Sequence, residues 1–462
     1  MPRVHRRRVF CADRVRRGGE VSLWRSCFDP AALVFPGQPI GPAGGAPVDR
    51  SRRPGRPVGV DLSEGFGERL LGQLLDRAHE LPAEQIAPLI AEEIAKIGGR
   101  EVSIHLQDYE QLMLAPLPGR GLVVGEALPI DGSRAGEAFL SKHVVEEPQP
   151  GGVRMYLPLL DGSDEVGVMS LTLDTVEEDD RRLLGRLAGL VADMVVTKSN
   201  YTDEFFKVRR LGKPLTVAAE IQWSLLPPLS MNTPQVSVAG VLEPAHEIAG
   251  DSLDYALNGN ILHLAIIDAM GHELNAAVLA TVAIGAYRHA RRAEIGLAEL
   301  YSFMDRAIDA QFGPDQFVTA QMLRLDVETG RLQWVNAGHA APLLIRGHRV
   351  IRKLEGPTTL PVGFGGAEPQ VSTIQLSKDD RVMFYTDGLT EEHRIGGEQF
   401  GETRMINTIE RTGPVTAGVG AMARELSQSL MRERGGTTSD DATLFLIEWH
   451  GGSADHLAVP DL

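Results

Sequence analysis

The spacing of apolar positions changes along the chain from a helical period to a strand period, and it predicts two folded parts joined by a helical stretch. Apolar residues recur at helical spacing in Glu68–His79 and Ala83–Ile97. Glu101–Leu106 reads as a strand and Gly132–Leu140 as a short helix after a turn. Val153–Leu160 and Val166–Leu173 read as a hairpin across Asp161-Gly162-Ser163-Asp164. A long helix over Glu177–Lys198 carries Leu183, Leu184, Leu187, Leu190, Val191, Met194 and Val195 on one side. Helical spacing resumes from Val208 to Leu226, where Pro214 predicts a kink or a split and Pro227-Pro228 a stop.

Strands dominate the remainder. Val236–Leu242 and Ile261–Ile267 are expected strands, and Asp251 is placed after the first of them. Helices are expected at Glu273–Arg292, Leu297–Ala310, Phe400–Arg411 and Ala417–Arg434. Phe317–Asp326 alternates apolar and polar residues and turns at Glu328-Thr329-Gly330 into Arg331–Val335. Pro342–Arg346 with Val350–Leu354 suggests a second hairpin; Val371–Leu376, Arg381–Tyr385 and Ala442–Trp449 complete the strands. Antiparallel hairpins with paired long helices predict an α+β class, with a C-terminal α-β-β-α sandwich of two sheets between helix layers. The expected divisions are a basic arm at 1–60, a sensory-type domain at 61–198, a connector at 199–230, a large domain at 231–450 and a tail at 451–462.

Composition adds limits. The 462 residues carry a formal charge of −16, 43% apolar residues and 23% charged residues, as expected of a globular chain. Residues 1–60 hold twelve arginines and four acids, a net of +8, which leaves −24 on the rest. That acidity excludes general nucleic-acid binding by the folded part. The arm, rich in Gly, Pro and Arg, buries little and reads as an unstructured tail rather than a nucleic-acid or acidic-lipid arm. Both cysteines, Cys11 and Cys27, lie in it, so no disulfide framework is expected and a cytoplasmic location is. No apolar run reaches the ~20 residues of a membrane span.

The chemistry-bearing residues are carboxylates at strand edges: Asp251 in AGDSLD, Asp268 ending ILHLAIID, Asp387 ending VMFYTDG and Asp440-Asp441 before ATLFLIEW. Carboxylates beside buried strands are costly unless their charge is compensated. An all-oxygen set favours a hard cation, Mn²⁺ or Mg²⁺, and two such ions ~3.5–4 Å apart can activate water for attack on a phosphate. No nucleophile elbow, P-loop or H-E-x-x-H motif is present.

These residues stand in seven blocks: IQWSLLPP, EPAHEIAGDSLDY, LHLAIIDAMGHELNAAVLAT, FVTAQMLRLDVETGRLQWVNAGHAAPLLI, LPVGF, DRVMFYTDGLTEE and TSDDATLFLIE. In that order they resemble the metal-dependent protein phosphatase family (PPM, type 2C), in its bacterial branch of stage II sporulation protein E and anti-sigma-switch regulators. The resemblance implies two metals held by Asp251, Asp268, Asp387 and Asp440, with the Ala269 carbonyl as a backbone ligand and Asp268 as the bridge. It implies hydrolysis of phosphoserine or phosphothreonine on a phosphorylated STAS-domain anti-anti-sigma protein. Asp254 and Asp441 are candidates for orienting metal-bound water. Three positions depart from the branch pattern: Ala249-Gly250 replaces a glycine pair, Ser252 an apolar or aromatic residue, and Glu273 a glycine. His272 reads as a solvent-facing turn residue, and Asn336, Gly338 and His339 as a loop-fixing group. Alternatives are a non-catalytic phosphatase-like module that sequesters a sigma-factor regulator, and a small-molecule phosphatase.

Residues 65–198 resemble a GAF-type sensory domain in element order, in the SRAGEAF turn and in the final hairpin. A small-molecule ligand there and a purely dimerising role are both open. His105 and His143 read as ordinary core or surface histidines. A homodimer through the helices between Glu177 and Leu226 is expected, with a shift of the connector altering the Asp251 strand.

Overall fold

Three six-stranded sheets carry the described residues. The computed structural model describes residues 65–451, apart from 163, 204–205, 367, 391–400, 413–417 and 435–440. The basic arm at 1–60, nearly all of the tail at 451–462, and Asp440 therefore lie outside the described residues.

The N-terminal elements are α1 (Phe66–Glu80), α2 (Ile86–Lys96), β1 (Arg100–Gln107), β2 (Met113–Pro116), β3 (Leu128–Pro129), α3 (Arg134–Ser141), β4 (Val145–Gln149), β5 (Gly152–Asp161), β6 (Asp164–Leu173) and α4 (Glu178–Ser199). The strands pair antiparallel in the order β3-β2-β1-β6-β5-β4. Helices α1, α2 and α4 bury Leu74, Ile90 and Leu187 against Ile104, Leu157 and Leu171. On the other face α3 buries Phe139 beside Leu114, Ile130 and Val168.

Pro214 splits the connector. A single 3₁₀ turn spans Val208–Arg210, and a separate helix, α5 (Val217–Leu225), begins three residues after the proline. Thr216 caps α5 by accepting the Ala219 N–H at 3.1 Å.

The C-terminal elements are β7 (Ser230–Asn232), β8 (Val236–Glu243), β9 (Asp251–Asn258), β10 (Ile261–Ala269), α6 (Glu273–Arg292), α7 (Leu297–Phe312), β11 (Val318–Asp326), β12 (Arg331–Ala337), β13 (Leu343–Arg346), β14 (Arg349–Lys353), β15 (Thr358–Thr359), β16 (Ser372–Gln375), β17 (Asp380–Tyr385), α8 (Glu402–Thr412), α9 (Val419–Arg434) and β18 (Ala442–Trp449). One sheet runs β15-β12-β11-β10-β9, with β16 also on β12; the other runs β14-β13-β17-β18-β8-β7. Strand alternation sorts their side chains into layers. Leu264 and Ile266 face Phe384 and Phe445 between the sheets. Ala265 and Ile267 face Leu279, Tyr287 and Met304 of α6 and α7. Met383 and Leu444 face Met405, Met422 and Leu426 of α8 and α9.

Asp251 corrects the sequence-based placement. It does not trail the strand at 236–242 but opens its own strand, β9, which pairs in full register with β10. The polar start Asp251-Ser252 hid that strand, because burial of these two residues comes from the surrounding layers and not from their own hydropathy.

Residues Glu64–Leu462 form one compact unit. The turn between β1 and β2 rests on α5 and on the segment leading into β9: Tyr109 stands edge-on to Trp223 of α5 at 4.8 Å, and Glu110 lies 3.0 Å from Nδ1 of buried His246. Among the described residues no helix is long and apolar enough to cross a membrane.

Candidate metal centre

Register places Asp251 and Asp268 directly opposite each other on β9 and β10. Opposed residues of an antiparallel pair share a face. Here that face is the one on which Leu253 and Ile266 enter the inter-sheet core, so both carboxylates stand at the mouth of the gap between the sheets. Asp251 is 2% exposed. Its Oδ2 accepts the hydroxyls of Thr386 at 2.6 Å and Thr443 at 2.7 Å, and the Thr443 N–H in turn donates to Thr386 Oγ1 at 2.8 Å. Both threonines belong to the facing sheet, two positions along from the inward-facing Phe384 and Phe445. That register is the sequence signal that marks them, because neither threonine is among the candidate ligands.

Asp441 performs a different task. Its Oδ2 accepts three successive backbone N–H groups, from Ala249 at 2.8 Å, Gly250 at 2.7 Å and Asp251 at 3.3 Å. A run of amides converging on one anion fixes the backbone that delivers the next side chain. Gly250 is required by close approach, since a Cβ there would meet the Ala269 carbonyl oxygen at 2.8 Å. Ala249 has no positive φ, so alanine fits there without strain. Gly388 is locked as tightly: a Cβ would lie 1.8 Å from the Asp441 carbonyl oxygen. The turn Asp387–Leu389, which presents the exposed Asp387 side chain, is thereby packed on the Asp441 backbone.

Burial pushes the Asp251 carboxyl well above its ordinary range, and the charges of Asp268 and Asp441 push it the same way. Carboxylates that repel one another in a desolvated site are relieved by a proton or a cation. The donors are oxygens, which suits Mg²⁺ or Mn²⁺. Among the described residues no group of three or more His, Cys, Asp or Glu side chains is arranged as a complete metal cage, and the fourth expected ligand, Asp440, lies outside them.

Asp254 is corrected. It lies three positions along β9 from Asp251, on the opposite face, and its two oxygens are taken by Arg288 at 2.7 Å and by Arg291. It ties β9 to α6 and orients no group beside Asp251. His272 is exposed, at the turn before α6. Glu273 has φ +57°, a left-handed conformation that only glycine adopts freely. Asn336 accepts the His339 N–H at 2.9 Å and donates to the His339 carbonyl at 3.0 Å, closing the loop. His339 Nδ1 then lies 2.8 Å from the hydroxyl of Thr319, the β11 partner of Asp268.

Residues 258–450 match the model of the stage II sporulation protein E family. Phosphoserine phosphatase RsbP of Bacillus subtilis is 26% identical over 185 residues, covering 39% of this chain and 45% of that protein. Protein IcfG of Synechocystis is 21% identical over 221 residues, covering 41% of this chain and 34% of that protein. The chain thus spans less than half the length of either curated relative. Among solved structures, the SiaA-PP2C domain of Pseudomonas aeruginosa aligns at 18% identity with a TM-score of 0.43, covering 50% of this chain and 94% of that one. The PP2C phosphatase domain of SpoIIE from Bacillus subtilis, with a fragment of its regulatory domain, aligns at 14% identity and a TM-score of 0.41, covering 68% and 85%. Residues 258–450, which hold most of the two facing sheets and their flanking helices, are thus similar to the stage II sporulation protein E (SpoIIE) family.

Proposed function

We propose that the chain is a metal-dependent serine/threonine protein phosphatase of bacterial sigma-factor regulation. Its substrate is a phosphorylated STAS-domain anti-anti-sigma protein, and its residues 61–198 are a GAF-like regulatory domain joined by the connector at 199–230 to a phosphatase domain at 231–450. The observation that carries the reading is the convergence of Asp251, Asp268 and Asp441 from two facing sheets, where burial and then the charges of Asp268 and Asp441 raise the Asp251 carboxyl. The match to the sporulation-protein family and the name of the RsbP relative support the reaction class.

Asp251, Asp268, Asp387 and Asp440, with the Ala269 carbonyl, are the residues that would hold two Mn²⁺ or Mg²⁺ ions. Bound there, the ions supply charge compensation for the phosphate and a water of lowered pKa. The chain's own part is positioning. Thr386 and Thr443 fix one oxygen of Asp251 and leave the other to the site. Asp441 holds the 249–251 backbone, and Gly388 sets the Asp387 turn against it. The net reaction forms one P–O bond to water and breaks the phosphoester P–O bond, with a proton passing to the seryl or threonyl oxygen.

The six-strand order of the N-terminal sheet, with three helices on one face and α3 on the other, supports the GAF-like assignment. The contacts of Tyr109 and Glu110 with Trp223 and His246 support a regulatory path into the segment before Asp251. A homodimer and a cytoplasmic location complete the proposal.

The test is hydrolysis of p-nitrophenyl phosphate and of a phosphorylated STAS protein by the full chain with Mn²⁺. Turnover that disappears in the Asp268→Ala, Asp387→Ala double variant supports the reading. Equal rates in the two proteins overturn it, and capture of the phosphoprotein without turnover favours the sequestering module instead.

A further inference from the structure

A cleft of about 730 Å³ separates the first turn of α3 from α9, away from the carboxylates described above. Gly132, Ser133 and Arg134 form one wall, and Arg424, Gln428 and Arg432 the other.

Arg424 is the unusual member. It is 8% exposed, with its guanidinium carbon 5.6 Å from the centre of the Phe139 ring. It makes no hydrogen bond or ion pair with any described residue. None of its nitrogens is among the buried atoms that lack a partner, so its N–H donors open onto the cleft and are available to an occupant. The carboxylates whose charges act on Arg424 are Glu165 and Asp131. Glu165 is already engaged, by Lys142 at 2.7 Å and by the Ser230 hydroxyl at 2.9 Å. Burial accordingly pushes the Arg424 guanidinium below its ordinary range.

We propose that this cleft binds a small organic molecule through one carboxylate group, received by Arg424 with the guanidinium stacked on Phe139. A planar fork pairs bidentately with a carboxylate, and aromatic stacking holds its plane. The other charges on the walls set the ligand's charge. Asp131, Glu137 and Glu425 balance Arg134, Arg424 and Arg432, and Glu137 already occupies Arg134 at 2.7 Å. A polyanion is therefore repelled, whereas a single carboxylate is matched by Arg424, which no described carboxylate pairs; Arg432 is held by the Gln428 carbonyl and lies beside the Ser429 hydroxyl. A ligand ammonium or hydroxyl is in turn matched by the wall acids. Because α3 belongs to the N-terminal sheet and α9 to the phosphatase domain, an occupant bridges the two parts of the chain.

The full chain is tested by thermal shift and titration calorimetry against the proteinogenic amino acids, acetate, lactate, pyruvate and benzoate, each added separately at matched ionic strength, with inorganic phosphate as the contrasting anion. At least one carboxylate is expected to raise the melting temperature by several degrees. Arg424→Gln is expected to weaken its binding by about tenfold or more. Ser141→Trp, on the exposed rim, fills the cleft without touching Arg424's charge and should also abolish the shift. Stabilisation by none of the carboxylates overturns the proposal, as does a response to phosphate alone. A response retained in Ser141→Trp overturns it even if Arg424→Gln does not fold.

Discussion

Asp441 receives the backbone N–H of Gly250 at 2.7 Å, a bond between residues 191 positions apart. It makes the start of β18 the support on which the approach to Asp251 is built. Asp441→Ala leaves the N–H groups of Ala249, Gly250 and Asp251 without this acceptor. Each orphaned buried donor costs about 1–3 kcal/mol, and a total loss of about 2–4 kcal/mol is expected, since water entering at the half-buried Asp441 position satisfies part of the three. On the proposed function, Mn²⁺ affinity falls by about 10–100-fold. Asp441→Asn keeps an acceptor oxygen and should recover part of both losses. Urea unfolding and calorimetric metal titration check this; an Asp441→Ala protein with unchanged midpoint and affinity refutes it.

Thr386 and Thr443 act on Asp251 through hydroxyls alone, so valine is the informative replacement. Thr386→Val or Thr443→Val removes one donor to Asp251 Oδ2 while keeping the volume between the sheets. A carboxylate so loosened holds a cation less well, and metal affinity is expected to drop by about tenfold for each variant. Thr386 also accepts the Thr443 N–H, so its valine variant should be the less stable of the two. Calorimetry and melting curves on both variants suffice; equal metal affinity in all three proteins removes the threonines from the site's account.

Glu273 occupies a left-handed backbone position at the head of α6 with its side chain exposed. Glu273→Gly removes the Cβ clash at the cost of greater freedom in the unfolded chain, and a net gain of about 1 kcal/mol is expected. A melting temperature that falls instead shows that the acidic charge at the helix start outweighs the strain.

Much of this architecture was legible from alternation. β10 is read from ILHLAIID because its apolar run faces a packed layer on each side, and the β11–β12 hairpin from its Glu328-Thr329-Gly330 turn. β9 was not, since Asp251, Ser252 and Asp254 are buried polar residues, and the partners of the two aspartates come from the turn after β17, from β18 and from α6. Hydropathy within a segment carries no record of such partners. The same limit explains Asp254, which in sequence is one more acid beside Asp251, yet strand alternation turns it to Arg288 and Arg291. It also explains Asp441, whose work is on a backbone 190 positions earlier.

Acid lability follows from two buried histidines. Burial pulls His339 down to about 4, and burial with the charges of Arg324 and Arg291 pulls His263 down to about 4. A folded pKa below the unfolded value near 6.5 means that the fold prefers the neutral ring. The stability each contributes is complete above pH ~6.5 and is lost as pH falls through that value toward about 4. For His339, fully enclosed by the Asn336 loop and Thr319, the shift corresponds to about 3 kcal/mol. Asp164 works in the opposite sense. Burial raises its carboxyl to about 6, so its contribution is present at low pH and is lost as pH rises through about 6. Two histidines against one aspartate leave a net loss on acidification from pH ~7 to ~5 from these groups. His339→Gln should flatten the urea midpoint over that window, and Asp164→Asn should steepen it. A His339→Gln protein with the wild-type pH slope would place the proton uptake elsewhere.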